Sequence, residues 1–131
     1  MKNLLYGLSL VFLIGCNDDE DILMDTQNEL VGNWVWTKST GGIKGDVITP
    51  ATSKTNIKLV ITDKSLKVYE NGEFSSENLY NIENKTSIHG GTKQQLIFSN
   101  NKTAQNYQIS GNKLYLNDEC YDCFSYEYVK E

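Results

Sequence analysis

Arginine is absent from the chain: all 12 basic residues of its 131 are lysines, and they form no cluster. With 17 acidic residues, the formal net charge is −5 and the isoelectric point lies near 4.9. Proteins that bind nucleic acid or anionic lipid head groups present a basic face to the phosphates. We therefore expect neither kind of partner, and any membrane contact should come from a lipid anchor alone.

Proline occurs once, and from residue 30 onward no segment shows a convincing helical stripe of apolar residues. Eight tyrosines, four phenylalanines and two tryptophans are present instead, together with many threonines, isoleucines and valines. These residue types favour strands, whereas the asparagines and glycines between the apolar runs favour tight turns. A chain of this length and composition predicts one globular all-β domain.

The apolar run of residues 4–14 follows Lys2 and is too short to span a bilayer as a helix. It predicts a signal peptide over residues 1–15. The run ends in Gly15-Cys16, which resembles the bacterial lipobox, where the cysteine receives diacylglycerol and becomes the first residue after cleavage. Cys16 is accordingly the expected lipidation site; the alternative is an ordinary secretory signal with an incidental cysteine.

Residues 16–29 open with a run of four acidic side chains at positions 18–21. Such a run cannot bury apolar surface, so we expect a solvated, flexible tether between the lipid and the domain. The same stretch resembles the surface-export signal of lipoproteins from Bacteroidetes, and a plain spacer is the alternative reading. The expected location is the outer membrane, with the domain facing either the periplasm or the exterior.

From residue 30 to residue 131, apolar and polar residues alternate with a period of two, the pattern of an antiparallel all-β domain. Asn71-Gly72 and Gly111-Asn112 are two-residue hairpin turns. The glycine-rich residues 40–55 are predicted to form a long polar connection. The predicted strands cover residues 31–38, 56–62, 65–70, 73–82, 93–99, 104–110, 113–117 and 124–130.

Eight consecutive antiparallel strands with short connections close most simply into an up-and-down barrel, which leaves no free edge. Alternation also predicts that Phe74 shares an inward face with Tyr80 and Ile82. For residues 93–99 it gives no clear inward face. The side chains predicted to line the barrel interior are Trp36, Leu59, Ile61, Val68, Tyr80, Tyr107, Leu116 and Tyr126.

The domain resembles the short lipocalin-like lipoproteins of Bacteroidetes. The resemblance rests on residues 30–34, 69–72 and 119–124, and within the first segment Gly32 and Trp34 form the Gly-x-Trp motif of lipocalins. It implies an eight-stranded lipocalin-like barrel in which Trp34 closes the floor and packs against an arginine of a late strand. Because this chain has no arginine, either Lys130 takes that place or the stacking is missing.

Cys120 and Cys123 form a C-x-x-C pair near the end of the chain. In an exported protein an even pair indicates a disulfide, which here would fix the turn before the last strand. A free or metal-linked pair and a redox pair are the alternatives. Zinc would need two further ligands, such as His89 and a carboxylate, and the acidic neighbours of the cysteines disfavour a reactive thiolate.

The sequence contains no nucleophile elbow and no phosphate-cradling loop, and His89 lies in a glycine-flanked turn. We therefore expect no enzymatic activity, no cofactor and no metal. The resemblance implies a membrane-anchored carrier that binds a small hydrophobic molecule in the barrel. The alternative hypothesis is a cell-surface interaction module with a filled core, which binds an unidentified protein or a glycan through residues 40–55 or the acidic flank.

Overall fold

The computed structural model describes residues 29–131. The predicted signal peptide, the lipidation site Cys16 and all but the last residue of the predicted tether lie outside the described residues. Within the described part, no helix is both long and apolar enough to cross a bilayer.

Residues 31–131 form nine strands and a four-residue helix, as follows. The elements are β1 (Gly32–Gly41), β2 (Asp46–Ile48), α1 (Pro50–Ser53), β3 (Ile57–Ile61), β4 (Ser65–Glu70), β5 (Glu73–Thr86), β6 (Thr92–Phe98), β7 (Gln105–Ser110), β8 (Lys113–Asp118) and β9 (Phe124–Lys130).

Eight of the strands close into an antiparallel barrel. From β3 to β9 each strand pairs with its sequence neighbour, and β1 pairs with both β3 and β9. The short β2 pairs only with the last three residues of β1. Closure leaves each barrel strand paired on both sides, which removes the edges through which sheets aggregate. The predicted eight-stranded up-and-down barrel is confirmed.

Residues 40–55 are more structured than a polar connection. They contain β2 and α1, and the helix begins after Thr49, whose side chain accepts a hydrogen bond from the Thr52 backbone N–H while the Thr52 hydroxyl accepts one from the Thr49 N–H. Pro50 occupies the first helical turn, where its missing N–H costs nothing. Both elements are too short for a periodic sequence signal.

The prediction that Phe74 faces inward is wrong. The pairing of β4 with β5 shifts between Val68 and Tyr69, so that Ser75 is an extra residue on β5. This bulge reverses the alternation on one side of it. Phe74 is therefore 57% exposed and forms a T-shaped ring pair with Tyr69 on the outside, with the ring centroids 5.8 Å apart. Tyr80, beyond the bulge, points inward and is buried.

The barrel end where β1 begins is covered by the chain itself. Leu30, just before β1, and Trp34 are both fully buried. The Trp34 indole N–H donates to the Leu30 carbonyl oxygen at 2.9 Å. Lys130 on β9 places its ammonium 5.2 Å from the Trp34 ring centroid, so lysine occupies the position beside the tryptophan and the stacking is present.

The interior is filled at this end by alternating residues from all around the barrel. On β6, whose inward face the sequence left open, Leu96 and Phe98 point in and are buried. The buried hydrophobic residues are Leu30, Trp34, Trp36, Leu59, Ile61, Leu66, Tyr80, Leu96, Phe98, Tyr107, Leu114, Leu116 and Tyr128. The core does not fill the opposite end of the barrel, where a cavity remains.

Candidate functional site

A cavity of about 320 Å³ lies at the end of the barrel where β8 finishes and β3, β7 and β9 begin; we call it the open end. Its volume falls at the lower limit of pockets that hold small molecules, which is about 300 Å³. The cavity reaches solvent beside the exposed residues Lys102 and Thr103. Its remaining lining residues are Ile57, Leu59, Leu66, Val68, Gln105, Leu116, Asp118, Cys120, Cys123, Tyr126 and Tyr128.

The cavity has an apolar wall and a polar mouth. Leu59 on β3, Leu66 on β4 and Leu116 on β8 are all at least 97% buried and supply the wall. The polar groups belong to residues at strand ends, because Gln105 begins β7 and its cross-strand partner Asp118 ends β8. The cavity is therefore amphipathic, because its wall is apolar and its mouth can form hydrogen bonds.

Asp118 is the acceptor at the mouth. Its Oδ1 accepts a hydrogen bond from the Gln105 side-chain amide at 2.9 Å. Its Oδ2 is 3.4 Å from two donors, the Phe124 backbone N–H and the Tyr126 hydroxyl. The contacts of Oδ2 are long, because ordinary N–H···O and O–H···O bonds are about 2.7–3.2 Å and 2.5–3.0 Å.

Two tyrosines of β9 lie beside this carboxylate. Burial raises the pKa of Tyr126 to about 12, and both the charge of Asp118 and the hydrogen bond to it contribute. Burial also raises the pKa of Tyr128, with smaller contributions from Tyr126 and Asp118. Both phenols are therefore neutral at physiological pH and act as hydrogen-bonding and packing groups.

Cys120 and Cys123 form a disulfide in the turn between β8 and β9, with Cα atoms 5.7 Å apart, as predicted. The bonded pair is neither free nor metal-linked. The Asp118 carboxylate and the two sulfurs lie within 4.8 Å of one another, but thiolates form only after reduction. The turn packs tightly on β1, because a Cβ at Gly41 would lie 2.3 Å from the Cys123 carbonyl oxygen.

Four of the eight predicted interior side chains line the cavity: Leu59, Val68, Leu116 and Tyr126. Trp36 lies with Tyr126 in an adjoining pocket of about 290 Å³ and donates to the Ser39 hydroxyl at 2.8 Å.

The other three, Ile61, Tyr80 and Tyr107, are buried in the barrel outside the cavity lining. The Tyr80 hydroxyl donates to the Thr62 carbonyl oxygen, and burial raises its pKa to about 12.

Sequence reasoning missed the polar mouth. The prediction ended the β8 strand at Asn117, one residue before Asp118. Continuing the alternation of Leu114 and Leu116 by one step places Asp118 inward, and this was the available signal. The role of Gln105 depends on its register opposite Asp118, which the sequence alone does not specify.

A second polar cluster lies outside the barrel, where the tip of the β5–β6 hairpin covers β7 and β8. The Glu119 carboxylate accepts hydrogen bonds from the Asn106 amide and the Ser87 hydroxyl at 2.8 Å and from the Ile88 N–H at 3.0 Å. His89 is exposed in the turn, and its Nε2 lies 2.9 Å from the Asp118 carbonyl oxygen. We call these contacts of Glu119 the hairpin clamp.

Burial raises the pKa of the Glu119 carboxyl. The opposing effect is larger: the pKa is lowered by the hydrogen bonds from Asn106, Ile88 and Ser87 and by the nearby His89. The net pKa of Glu119 is therefore below its ordinary value. The clamp satisfies the Asn106 amide, which is only 2% exposed. Its contacts are those of a structural cluster, since they join a hairpin tip to the barrel wall.

The outer surface carries a groove of about 440 Å³ over β1, β3 and β4. Val35, Val60 and Tyr69 supply its apolar lining, and Lys58 and Asn56 its polar part. This feature bears on the interaction hypothesis, because it faces solvent and not the barrel interior.

No family model, curated protein or solved structure matches this chain.

Proposed function

We propose that the domain binds a small, mainly hydrophobic molecule in the cavity at the open end. One observation carries the proposal: a closed barrel retains a cavity of about 320 Å³ whose lining combines apolar wall residues with polar residues at strand ends. Burying apolar ligand surface there releases about 25 cal/mol per Å². The lipocalin resemblance of residues 30–131 implies the same kind of site.

We also propose that residues 1–15 are a signal peptide and that Cys16 carries a lipid, which tethers the domain to the outer membrane. The support is the apolar run after Lys2 and the Gly15-Cys16 junction. Intact-mass analysis of the membrane fraction tests this: the wild type should carry the mass of a diacylglycerol anchor, and Cys16→Ser should not. An unmodified wild-type cysteine would contradict it.

The binding proposal is tested by titrating octanol, a small apolar probe, into the full chain with Cys16→Ser, which removes the proposed lipid. Val68→Phe adds volume to a half-buried cavity wall, so it should abolish the calorimetric signal. Ile109→Phe is the matched control, because Ile109 is also half-buried against the core but does not line the cavity. Equal binding by both variants would refute the cavity as the site.

The second candidate is a non-enzymatic interaction module. It is favoured by the outer groove and by the exposed apolar residues of the β1–β2 hairpin, Ile43 at 91% and Val47 at 57%. Binding of a protein or glycan there would be lost in Val35→Lys and would survive Val68→Phe. The two functions can therefore be distinguished: substitutions on the inner face of β1, β3 and β4 should impair binding in the cavity, and substitutions on their outer face should impair binding in the groove.

A further inference from the structure

Two side chains of opposite charge lie at the cavity mouth, and they differ in how they face the cavity. Asp118 is half-buried and belongs to the inward face of β8, opposite Gln105 of β7. Lys102 is exposed in the β6–β7 loop, with its ammonium 5.3 Å from the Phe98 ring centroid. The carboxylate thus belongs to the barrel wall, whereas the ammonium lies at its rim.

The Asp118 carboxylate retains capacity to accept hydrogen bonds. A carboxylate has about four lone-pair sites. Only the Gln105 amide contacts it at an ordinary distance, 2.9 Å, since both donors to Oδ2 are at 3.4 Å. Among residues 29–131, the ion pairs involve Lys38, Lys58 and Lys113 with Glu127 and Glu131, and none involves Asp118.

The surroundings make this carboxylate selective. It stands at the mouth of a cavity whose wall is leucine and valine, where an unpaired charge is costly and a paired one is stabilised. The raised pKa values of Tyr126 and Tyr128 include a contribution from the Asp118 charge, so that charge acts across the mouth. An anionic group placed there meets repulsion, whereas a cationic donor gains a charge-assisted hydrogen bond.

We propose that the cavity selects amphipathic amines, with a protonated amino group on Asp118 Oδ2 and an apolar body against Leu59, Leu66 and Leu116. This inference rests on the proposed function and adds the class of ligand. Tyr126, whose hydroxyl already contacts Oδ2, closes one side of the amine position. The small cavity favours a short apolar body over a long lipid chain.

The test compares octylamine, octanol and octanoate, three probes with the same chain and different head groups, by calorimetry at neutral pH on the full chain with Cys16→Ser. Octylamine should bind tightest and octanoate weakest. Asp118→Asn keeps an acceptor for Gln105 but removes the charge, so octylamine binding should weaken by about tenfold to a hundredfold. Octanol binding should change by less than about threefold.

Asp122→Asn is the matched control, because it removes an exposed carboxylate from the same disulfide turn and should leave all three affinities unchanged. Lys102→Gln removes the rim cation, so it should strengthen octylamine binding and weaken octanoate binding. Should Asp118→Asn fail to fold, the order of the three probes on the parent chain and the Lys102→Gln shifts decide the question.

The outcomes separate this inference from the proposed function. One outcome would overturn the amine assignment but support the hydrophobic cavity: Val68→Phe abolishes octanol binding, and Asp118→Asn leaves octylamine affinity unchanged. Tightest binding of octanoate, weakened by Lys102→Gln, would assign an anionic head group and also overturn it. Failure of all three probes to bind would overturn both proposals.

Discussion

Removing the Glu119 carboxylate should release the hairpin tip from the barrel wall. Glu119→Ala deletes the acceptor of three hydrogen bonds and leaves the 2%-exposed Asn106 amide without that partner. An unsatisfied buried polar group costs about 1–3 kcal/mol, and hydrogen bonds to a charged group contribute about 1.5–3 kcal/mol each when buried. Since Glu119 is only partly buried, we discount these values and expect a loss of about 2–3 kcal/mol.

Urea unfolding measures the global loss, and hydrogen exchange at the Ile88 amide measures the local one. The Ile88 N–H donates to Glu119, so its protection should fall more than that of amides in β8. Glu77→Ala is the control, because Glu77 is an exposed carboxylate on β5, and its effect should stay within about 0.5 kcal/mol. A Glu119→Ala variant as stable as the Glu77 control, with an equally protected Ile88 amide, would refute the clamp.

The clamp also predicts a pH dependence with a definite sign. The folded pKa of Glu119 is lowered below its ordinary value near 4.5, so the unfolded chain binds the proton more readily. The stabilisation is therefore fully present above the unfolded pKa and is lost as pH falls through the folded pKa. The stability of Glu119→Ala should fall less steeply than that of the wild type below pH 4.5; parallel curves would contradict this assignment.

Three further changes test the barrel itself. Gly41→Ala places a Cβ 2.3 Å from the Cys123 carbonyl oxygen and should destabilise by about 1–3 kcal/mol in thermal unfolding, whereas alanine at the open position Gly45 should lack this steric term. Lys130→Met keeps the apolar stem but removes the ammonium over Trp34, which should cost about 0.5–1 kcal/mol; no change in urea unfolding would mean that the contact contributes nothing. Replacing Cys120 and Cys123 together by serine opens a short loop and should lower the free energy of unfolding by about 2 kcal/mol. Reducing the disulfide of the wild type should lower it equally, and a difference between the two would be an effect of the serine side chains.

The barrel could be predicted from the sequence because most of its strands alternate between apolar and polar residues and most are joined by short turns. Alternation around Leu59, Leu116 and Tyr126 placed these side chains inside, and the structure puts all three at the cavity. It failed at Phe74, because a one-residue bulge changes the parity of a strand without leaving a sequence signal. Alternation along the sequence therefore predicts which side chains face inward only within stretches of a strand that contain no bulge.

The polar features were less predictable because they depend on residues distant in sequence. Glu119 meets Ser87, 32 positions away, and this contact forms only once the β5–β6 hairpin lies over the barrel wall. Asp118 at the mouth required the exact end of β8, and strand ends are the least regular part of a periodic pattern. The disulfide was predictable because its two cysteines are local and adjoin a turn.

The most direct test of the binding cavity is to locate a probe by nuclear Overhauser contacts in the full chain with Cys16→Ser. With octanol bound, we expect contacts from its chain to the methyl groups of Val68 and Leu116, inside the barrel, and none to those of Val35 and Val60 in the outer groove. Contacts to Val35 and Val60 with none to Val68 and Leu116 would contradict the account and place binding on the outer surface.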